Sequence, residues 1–507
     1  MAKIRVIQII VAFLIFVCVS VFFYLNTFDG NFIYEKAEKC IRNGDLESGF
    51  KYYKKAADLG YAEAQYNIGK CYYEGKGVGK NFYKAFEYWK RATEQGHAEA
   101  QYNIGHCYAE GEGVVENFYK AFEYYKKAAD QWHAEAQYNI GNYYYEGKGV
   151  EKNFNKAIEY WKRAADQRYA EAQYMVGKCY YNGEGVEKDY TKAFEYYKKA
   201  ADQGLANAQN SLALCYYERK GVERDFNKAI EYWKRAADHE HAEAQYMVGR
   251  FYYDGEGVEK DYTKAIEYWK KAATHGYVEA QSALGYCYAE GKGVEKDLNK
   301  AIEYWKRAAD HEHAEAQYMV GKCYYNGEGV EKDYTKAFEY YKKAADQGLA
   351  NAQNSLALCY YERKGVERDF NKAIEYWKRA ADQGHTEAQL ALGFCYHYGE
   401  GGVEKDLNKG FEYYKKAADH EHAEAQYMVG RFYYDGEGVE KDYTKAIEYW
   451  KKAATHGYVE AQSALGYCYA EGKGVEKDLN KAIEYYKEAA KQGDYIAEKE
   501  LVKLKVY

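Results

Sequence analysis

A stretch of 36 residues, Ala170 to Leu205 (AEAQYMVGKCYYNGEGVEKDYTKAFEYYKKAADQGL), recurs along most of this chain. Close copies open at Ala62, Ala98, Ala134, Ala206, Ala242, Val278, Ala314, Ala350, Thr386, Ala423 and Val459, which makes twelve repeats. The spacing is 36 throughout except between Thr386 and Ala423, where it is 37 because Gly402 is an extra loop residue. A fixed period of this size marks a solenoid of supersecondary units, none of which can bury its apolar face without a neighbour. The length of 507 residues therefore does not imply several globular domains, because a solenoid grows by addition and needs no single large core.

Each repeat contains two helical patterns. In the repeat opening at Ala62, the first helix (helix A) carries Ala64, Ile68, Cys71 and Tyr72 on one apolar stripe at helical period. Gly69 sits inside it, where glycine costs about 1 kcal/mol against alanine. Glycine or alanine recurs at that position (Gly105, Gly177, Ala213, Gly466), which points to close approach of another helix. Gly75-Lys76-Gly77-Val78 is a turn signal. Asn81, or Asp189 in a later repeat, is placed to cap the N-terminus of the second helix (helix B). Helix B aligns Ala85, Trp89 and Ala92, and its Lys90 and Arg91 suit the negative end of the helix dipole. Gly96 fits a C′ position in the left-handed conformation.

These residues follow a pattern, A-x-A-Q-x-x-[LIV]-G-x-x-Y-x-x-G-x-G-V-x-x-D-x-x-K-A-x-x-[YW]-x-x-x-A-A, that resembles the Sel-one-like repeat family of the tetratricopeptide-like superfamily. In the second repeat it reads Ala98-Glu99-Ala100-Gln101, Ile104-Gly105, Tyr108, Gly111-Glu112-Gly113-Val114, Lys120-Ala121 and Ala128-Ala129. The resemblance runs from about Ala62 to Gln492 and implies an all-α fold, a right-handed α/α superhelical solenoid of helix-turn-helix repeats. It also implies a bacterial member that binds proteins or peptides on its surface, with no catalytic residues and no cofactor.

The termini differ from the array. Val6 to Leu25 is an uncharged run of twenty residues, long enough to span a bilayer as one N-terminal transmembrane helix. Lys3 and Arg5 precede it and Asp29 and Glu35 follow, which places the N-terminus in the cytoplasm and the repeats across the membrane. A cleaved signal peptide is the competing reading, since Cys18-Val19-Ser20 offers small residues, but the apolar run continues to Leu25. The expected organisation is therefore an anchor or signal segment (1–25), a linker (26–31), an N-terminal capping hairpin (32–61), the repeats (62–492) and a C-terminal capping helix (493–507). A net charge of −7 gives no basic balance for nucleic acid.

Two blocks are duplicated within the array: Ala170–Asp238 is identical to Ala314–Asp382, and Ala236–Tyr304 to Ala417–Tyr485. Adding such blocks lengthens a binding or spacing surface and offers an enzyme little.

Several residues invite a site. Nine of the eleven cysteines share one helix A position (Cys71, Cys107, Cys179, Cys215, Cys287, Cys323, Cys359, Cys395 and Cys468), where Tyr143, Phe251 and Phe432 substitute, so the position reads as an apolar slot holding free thiols. Some family members join two cysteines per repeat, but the second is lacking here. His-Glu-His occurs at His239–His241, His311–His313 and His420–His422, in the turn between repeats and without the i, i+4 spacing of a helical metal site, so no metal is expected. The G-x-G-V run follows a helix and lacks a Gly-Lys-Ser/Thr tail, so it is a turn and not a phosphate loop.

Tyr72, Tyr108, Tyr144 and Tyr180 hold one fixed position, as packing residues do. A second set lies about 200° around helix A from Ala64 and Ile68: Tyr66, Lys70 and Tyr73. The position of Lys70 drifts to His106, Asn142, Lys178, Leu214, Arg250, Tyr286, Phe394 and Arg431. Tyrosine and arginine anchor interfaces, so this outward stripe is the expected partner-binding surface: Tyr66, Lys70, Tyr73, Tyr102, His106, Tyr138, Tyr174, Tyr181, Tyr246, Arg250 and Tyr318. The expected function is a membrane-anchored, extracytoplasmic scaffold. An envelope enzyme of glycan turnover and a purely structural spacer are the alternatives, although no carboxylate pair stands out for glycan hydrolysis.

Overall fold

A computed structural model of the chain describes residues 30–505. Among these residues every regular element is an α-helix and no strand occurs. The expected membrane span, Val6–Leu25, lies outside the described residues. No helix among them is long and apolar enough to cross a membrane.

Each repeat is a pair of antiparallel helices of 13 residues, from Ala62–Glu74 with Phe82–Glu94 to Val459–Glu471 with Leu479–Lys491. A helix over 30–42 with Leu46–Asp58 precedes them, and Tyr495–Lys503 follows. The described residues fall into two compact units that divide between Lys260 and Asp261.

The caps stand where the sequence places them. The Asn81 side chain accepts from Lys84 N at 2.9 Å and the Asp189 side chain from Lys192 N at 3.0 Å, so each ties down one orphan donor of helix B. Gly75 ends helix A in the left-handed region at φ 77°, and Gly96 follows helix B at φ 81°. Arg219 and Arg363 hold the Gly75 position at φ 60° and 62°.

Within a hairpin, Gly69 makes room for the helix B indole. A Cβ there would lie 2.4 Å from Trp89 Cδ1, and one at Gly105 would lie 2.7 Å from Tyr125 Cδ1. Between hairpins the second loop glycine is the contact: a Cβ on Gly77 would meet Leu46 O at 2.3 Å, and one on Gly113 would meet Phe82 O at 2.4 Å. The G-x-G loop thus closes one helix and seats the next hairpin on its predecessor. Tyr72 completes that seam, edge-on to Phe50 of the preceding hairpin (5.4 Å) and stacked on Tyr88 of its own (5.9 Å). The inserted residue is absorbed here. Gly401 turns inward, and Gly402 takes the place over Phe370 that Gly77 takes over Leu46.

The turn between repeats carries a second seam of amides. Buried Gln65 donates to Ala57 O of the preceding repeat at 3.3 Å, and its Oε1 accepts from Gln95 Nε2 at 2.9 Å. The same pair recurs as Gln131–Gln101, Gln167–Gln137, Gln203–Gln173, Gln347–Gln317, Gln383–Gln353 and Gln492–Gln462. Where histidine replaces the Gln95 residue, at His239, His311, His420 and His456, the facing amide oxygen has no partner: Gln209, Gln281, Gln389 and Gln426. In each His-Glu-His the first histidine ends helix B, the glutamate turns at positive φ, and the second histidine caps the next helix A.

Candidate functional site: the helix A face

The nine slot cysteines are free and buried, and burial pushes their thiols up, to about 12 at Cys107 and about 11 at Cys71. That raised thiol pKa makes them packing groups rather than nucleophiles.

The outward stripe is less outward than its helical position suggests. Tyr66, Tyr102, Tyr138, Tyr174, Tyr246 and Tyr318 are half-buried. Tyr66 stacks on His97 of the next repeat (4.8 Å) and Tyr102 on His133 (4.7 Å). Tyr138 packs on Tyr169, Tyr174 on Tyr197 and Tyr318 on Tyr341. The expectation of an outward stripe is therefore corrected: Tyr66, Tyr102 and Tyr138 pack against the turn that opens the next repeat, and Tyr174 and Tyr318 against helix B of their own hairpin. Burial, then Glu135, pushes the Tyr102 hydroxyl well above the usual phenol range, and that hydroxyl donates to Glu135 at 2.6 Å.

The histidine in this contact has a fixed tautomer. His97 Nδ1 accepts from Ala100 N at 3.2 Å, so Nε2 carries the proton and donates to Glu63 at 3.0 Å. His133 repeats the arrangement with Ala136 and Glu99.

Tyr73 and Tyr181 lie about two turns further along the helix than Tyr66 and Tyr174. Tyr73 meets Phe82 (5.2 Å) and Trp89 (5.4 Å), and burial followed by Glu112 pushes its hydroxyl up to about 12. The Tyr181 hydroxyl donates to Glu218 at 3.1 Å and accepts from Lys220 at 2.8 Å. The varying position is open: Lys70 is exposed 4.0 Å from Glu74, half-buried His106 lies 3.8 Å from Glu112, and half-buried Arg250 lies 3.9 Å from Asp254.

Five of the expected residues meet in one groove. Tyr66, Lys70, Tyr73, Tyr102 and His106 line a cavity of about 260 Å³ floored by Trp89. Tyr427, Arg431, Tyr434 and Tyr467 line a counterpart of about 440 Å³ near the C-terminal end of the array. Helix A therefore presents an aromatic recess at Tyr66, rimmed by Lys70 and His106, and another at Tyr427, rimmed by Arg431, a surface that suits an extended polar chain better than a small substrate.

The family model for the Sel1 repeat matches this chain thirteen times, over 32–61 and then from 62–97 to 459–494. The chain belongs to the Sel1 repeat family. Its first match, over 32–61, is the shortened hairpin that the sequence marks as a cap. A solved protective antigen of uropathogenic Escherichia coli with an SLR fold is 33% identical, with a TM-score of 0.77, over 90% of this chain and 97% of that one. A solved Sel1 repeat protein from Oxalobacter formigenes is also 33% identical, with a TM-score of 0.50, over 61% of this chain and 89% of that one. DAP3-binding cell death enhancer 1 of Rattus norvegicus is 47% identical over 45 residues, 9% of this chain and 9% of that protein. Sel1 repeat solenoids are in general protein-interaction scaffolds.

Proposed function

We propose that the chain is a membrane-anchored, extracytoplasmic scaffold that binds proteins or peptides along its helix A face, with residues 6–25 as the anchor. The aromatic recesses on that face, each with its own rim, carry this reading. A partner laid along it touches many repeats weakly, so selectivity comes from the order of charges at the Lys70, His106 and Arg250 positions.

The half-burial of the tyrosines decides how this is tested. Tyrosine-to-alanine changes disturb the seams between repeats as well as the surface, whereas Lys70→Glu, His106→Glu and Arg250→Glu alter only the rim. Cross-linking of the intact protein in its own cell identifies the partner. The three rim changes together are expected to weaken that partner by about tenfold or more without moving the melting temperature. Unchanged binding overturns the reading. Cys40 is half-buried while the slot cysteines are buried, so it reports topology. A membrane-impermeant thiol reagent is expected to reach it from outside spheroplasts, and protection there overturns the orientation.

A further inference from the structure

The repeat opening at Thr386 lies between copied blocks and belongs to neither: one ends at Asp382 and another begins at Ala417. Its helix A departs from its neighbours on the outer face. Leu390 stands where other repeats have Tyr246 or Tyr427, Phe394 where they have Arg250 or Arg431, and Tyr398 where they have Asp254 or Asp435. In the Ala242 repeat and in the following Ala423 repeat the last two positions form an ion pair one turn apart, Arg250–Asp254 and Arg431–Asp435, each at 3.9 Å. Here they form a ring pair, with Phe394 and Tyr398 centroids 4.6 Å apart. Both rings remain exposed, at 44% and 46%.

The pair stands at the mouth of a cavity of about 490 Å³ walled by Leu358, Leu390, Ala391 and Met428. Trp377 and Tyr414 form its floor, and both are buried. The Trp377 indole is engaged with Asn354 at 3.1 Å, but the wholly buried Tyr414 hydroxyl has no hydrogen-bond partner. A buried hydroxyl without a partner loses its hydration with nothing in exchange, so an occupant that reaches it with a polar tip gains more than apolar contact.

Charge narrows the occupant. Glu362, Glu387 and Glu424 line the cavity, and among the described residues that line it none is basic. Glu362 is held by Lys364 and Glu387 faces His422, while Glu424 makes no ion pair among the described residues. The groove at Tyr66, by contrast, carries Lys70 and His106. The chain supplies its own contrast too. Leu358 and Leu214 belong to identical blocks, yet the next repeat brings Phe394 in one case and Arg250 in the other.

We propose that this cavity takes a tryptophan or tyrosine side chain of a partner polypeptide that carries lysine or arginine beside it. The ring enters over Trp377 between Leu390 and Met428, its polar tip meets the Tyr414 hydroxyl, and the flanking cation lies against Glu424. The inference rests on the reading of helix A as a polypeptide-binding face, and it assigns the strongest anchor on that face to one repeat.

A displayed library of random short peptides, selected on the full chain in detergent, tests it. Enriched peptides are titrated against the wild type and against Phe394→Arg/Tyr398→Asp, which installs the pair that the following repeat has as Arg431–Asp435. Leu390→Tyr serves in its place if the double change lowers the melting temperature. The expected result is enrichment of Trp or Tyr next to Lys or Arg, and about tenfold weaker binding to the double variant. Exchanging the peptide's cation for Glu is expected to weaken binding to the wild type and to recover it on Glu424→Lys. No enrichment, or equal binding to the double variant, overturns the site. Self-association of the chain that the same variant abolishes overturns it in favour of a second copy as the occupant. Peptides that ignore Phe394 and Tyr398 but lose affinity on Lys70→Glu and His106→Glu overturn this site and leave the scaffold reading standing, whereas peptides that ignore both sets overturn both.

Discussion

The indole Nε1 of Trp233 donates to the Asn210 side-chain oxygen at 2.9 Å, whereas Trp89, in the equivalent place, donates to the backbone carbonyl of Tyr66 at 3.0 Å. Helix A explains the exchange. Beneath Trp89 lies Gly69, and beneath Trp233 lies Ala213, whose Cβ occupies the space the ring would take. The pairing recurs with Ala357, Asn354 and Trp377.

Gly69→Ala is accordingly expected to destabilise by about 1–3 kcal/mol through overpacking. Adding Tyr66→Asn to it is expected to recover part of that loss by giving the displaced indole its acceptor. A double-mutant cycle by urea unfolding checks this. Strictly additive effects contradict the coupling.

The unpaired oxygens of Gln209, Gln281, Gln389 and Gln426 give a stabilising prediction. Replacing His239, His311, His420 and His456 with glutamine recreates the amide pair of Gln95 with Gln65. Each change is expected to add about 1 kcal/mol. The melting temperature reads the result, and an unchanged or lower value counts against the pairing.

Acid acts on the histidine caps. Six helix A N-caps are histidines that accept a backbone N–H (His97, His133, His241, His313, His385 and His422). Burial lowers the pKa of His241 and of His385 below the ordinary 6.5. The unfolded chain therefore binds these protons more readily than the folded one. Their contribution is complete above pH ~6.5 and is lost as pH falls from there through the lower folded values. Melting temperatures from pH 8 to 5 are expected to drop in that window. His241→Asn with His385→Asn keeps a capping side chain and is expected to flatten the drop. A drop of the same size in the double variant removes these two caps as its cause.

The thiols report packing. Native protein is expected to react with a thiol reagent first at half-buried Cys40, with the nine slot cysteines following only on denaturation. Fast native labelling at Cys107 or Cys215 contradicts the packed slot.

Deleting residues 1–25 is expected to leave a soluble array with the same helical circular dichroism, because each repeat is supported by its neighbours. An unfolded or insoluble product makes that segment part of the core.

Much of this was readable before any coordinates. The period gives the hairpins, Asn81 and Asp189 declare themselves as caps, and the recurrence of Gly69 announces a close neighbour. A helical wheel describes one helix, however, and that limits the rest. It places Tyr66 opposite Ile68 but cannot show His97 of the next repeat closing over the ring. It marks Gly77 as a turn but not the Leu46 carbonyl that needs its bare Cα. Phe394 was visible as one variant of a drifting position. Tyr398 carries no signal of its own, because its meaning depends on the missing Asp254-type partner, a relation between two departures in one repeat.

The contact between Gly77 and the start of the preceding helix B has a consequence for inheritance. The same bare glycine meets the same backbone at junction after junction, so a block excised or copied at a repeat boundary rejoins through a surface that already fits. The identical blocks are what such copying leaves behind, and recombination between them changes the number of repeats in whole steps. The Thr386 repeat lies outside both copied pairs, so a lineage that loses it has no identical block from which to restore it.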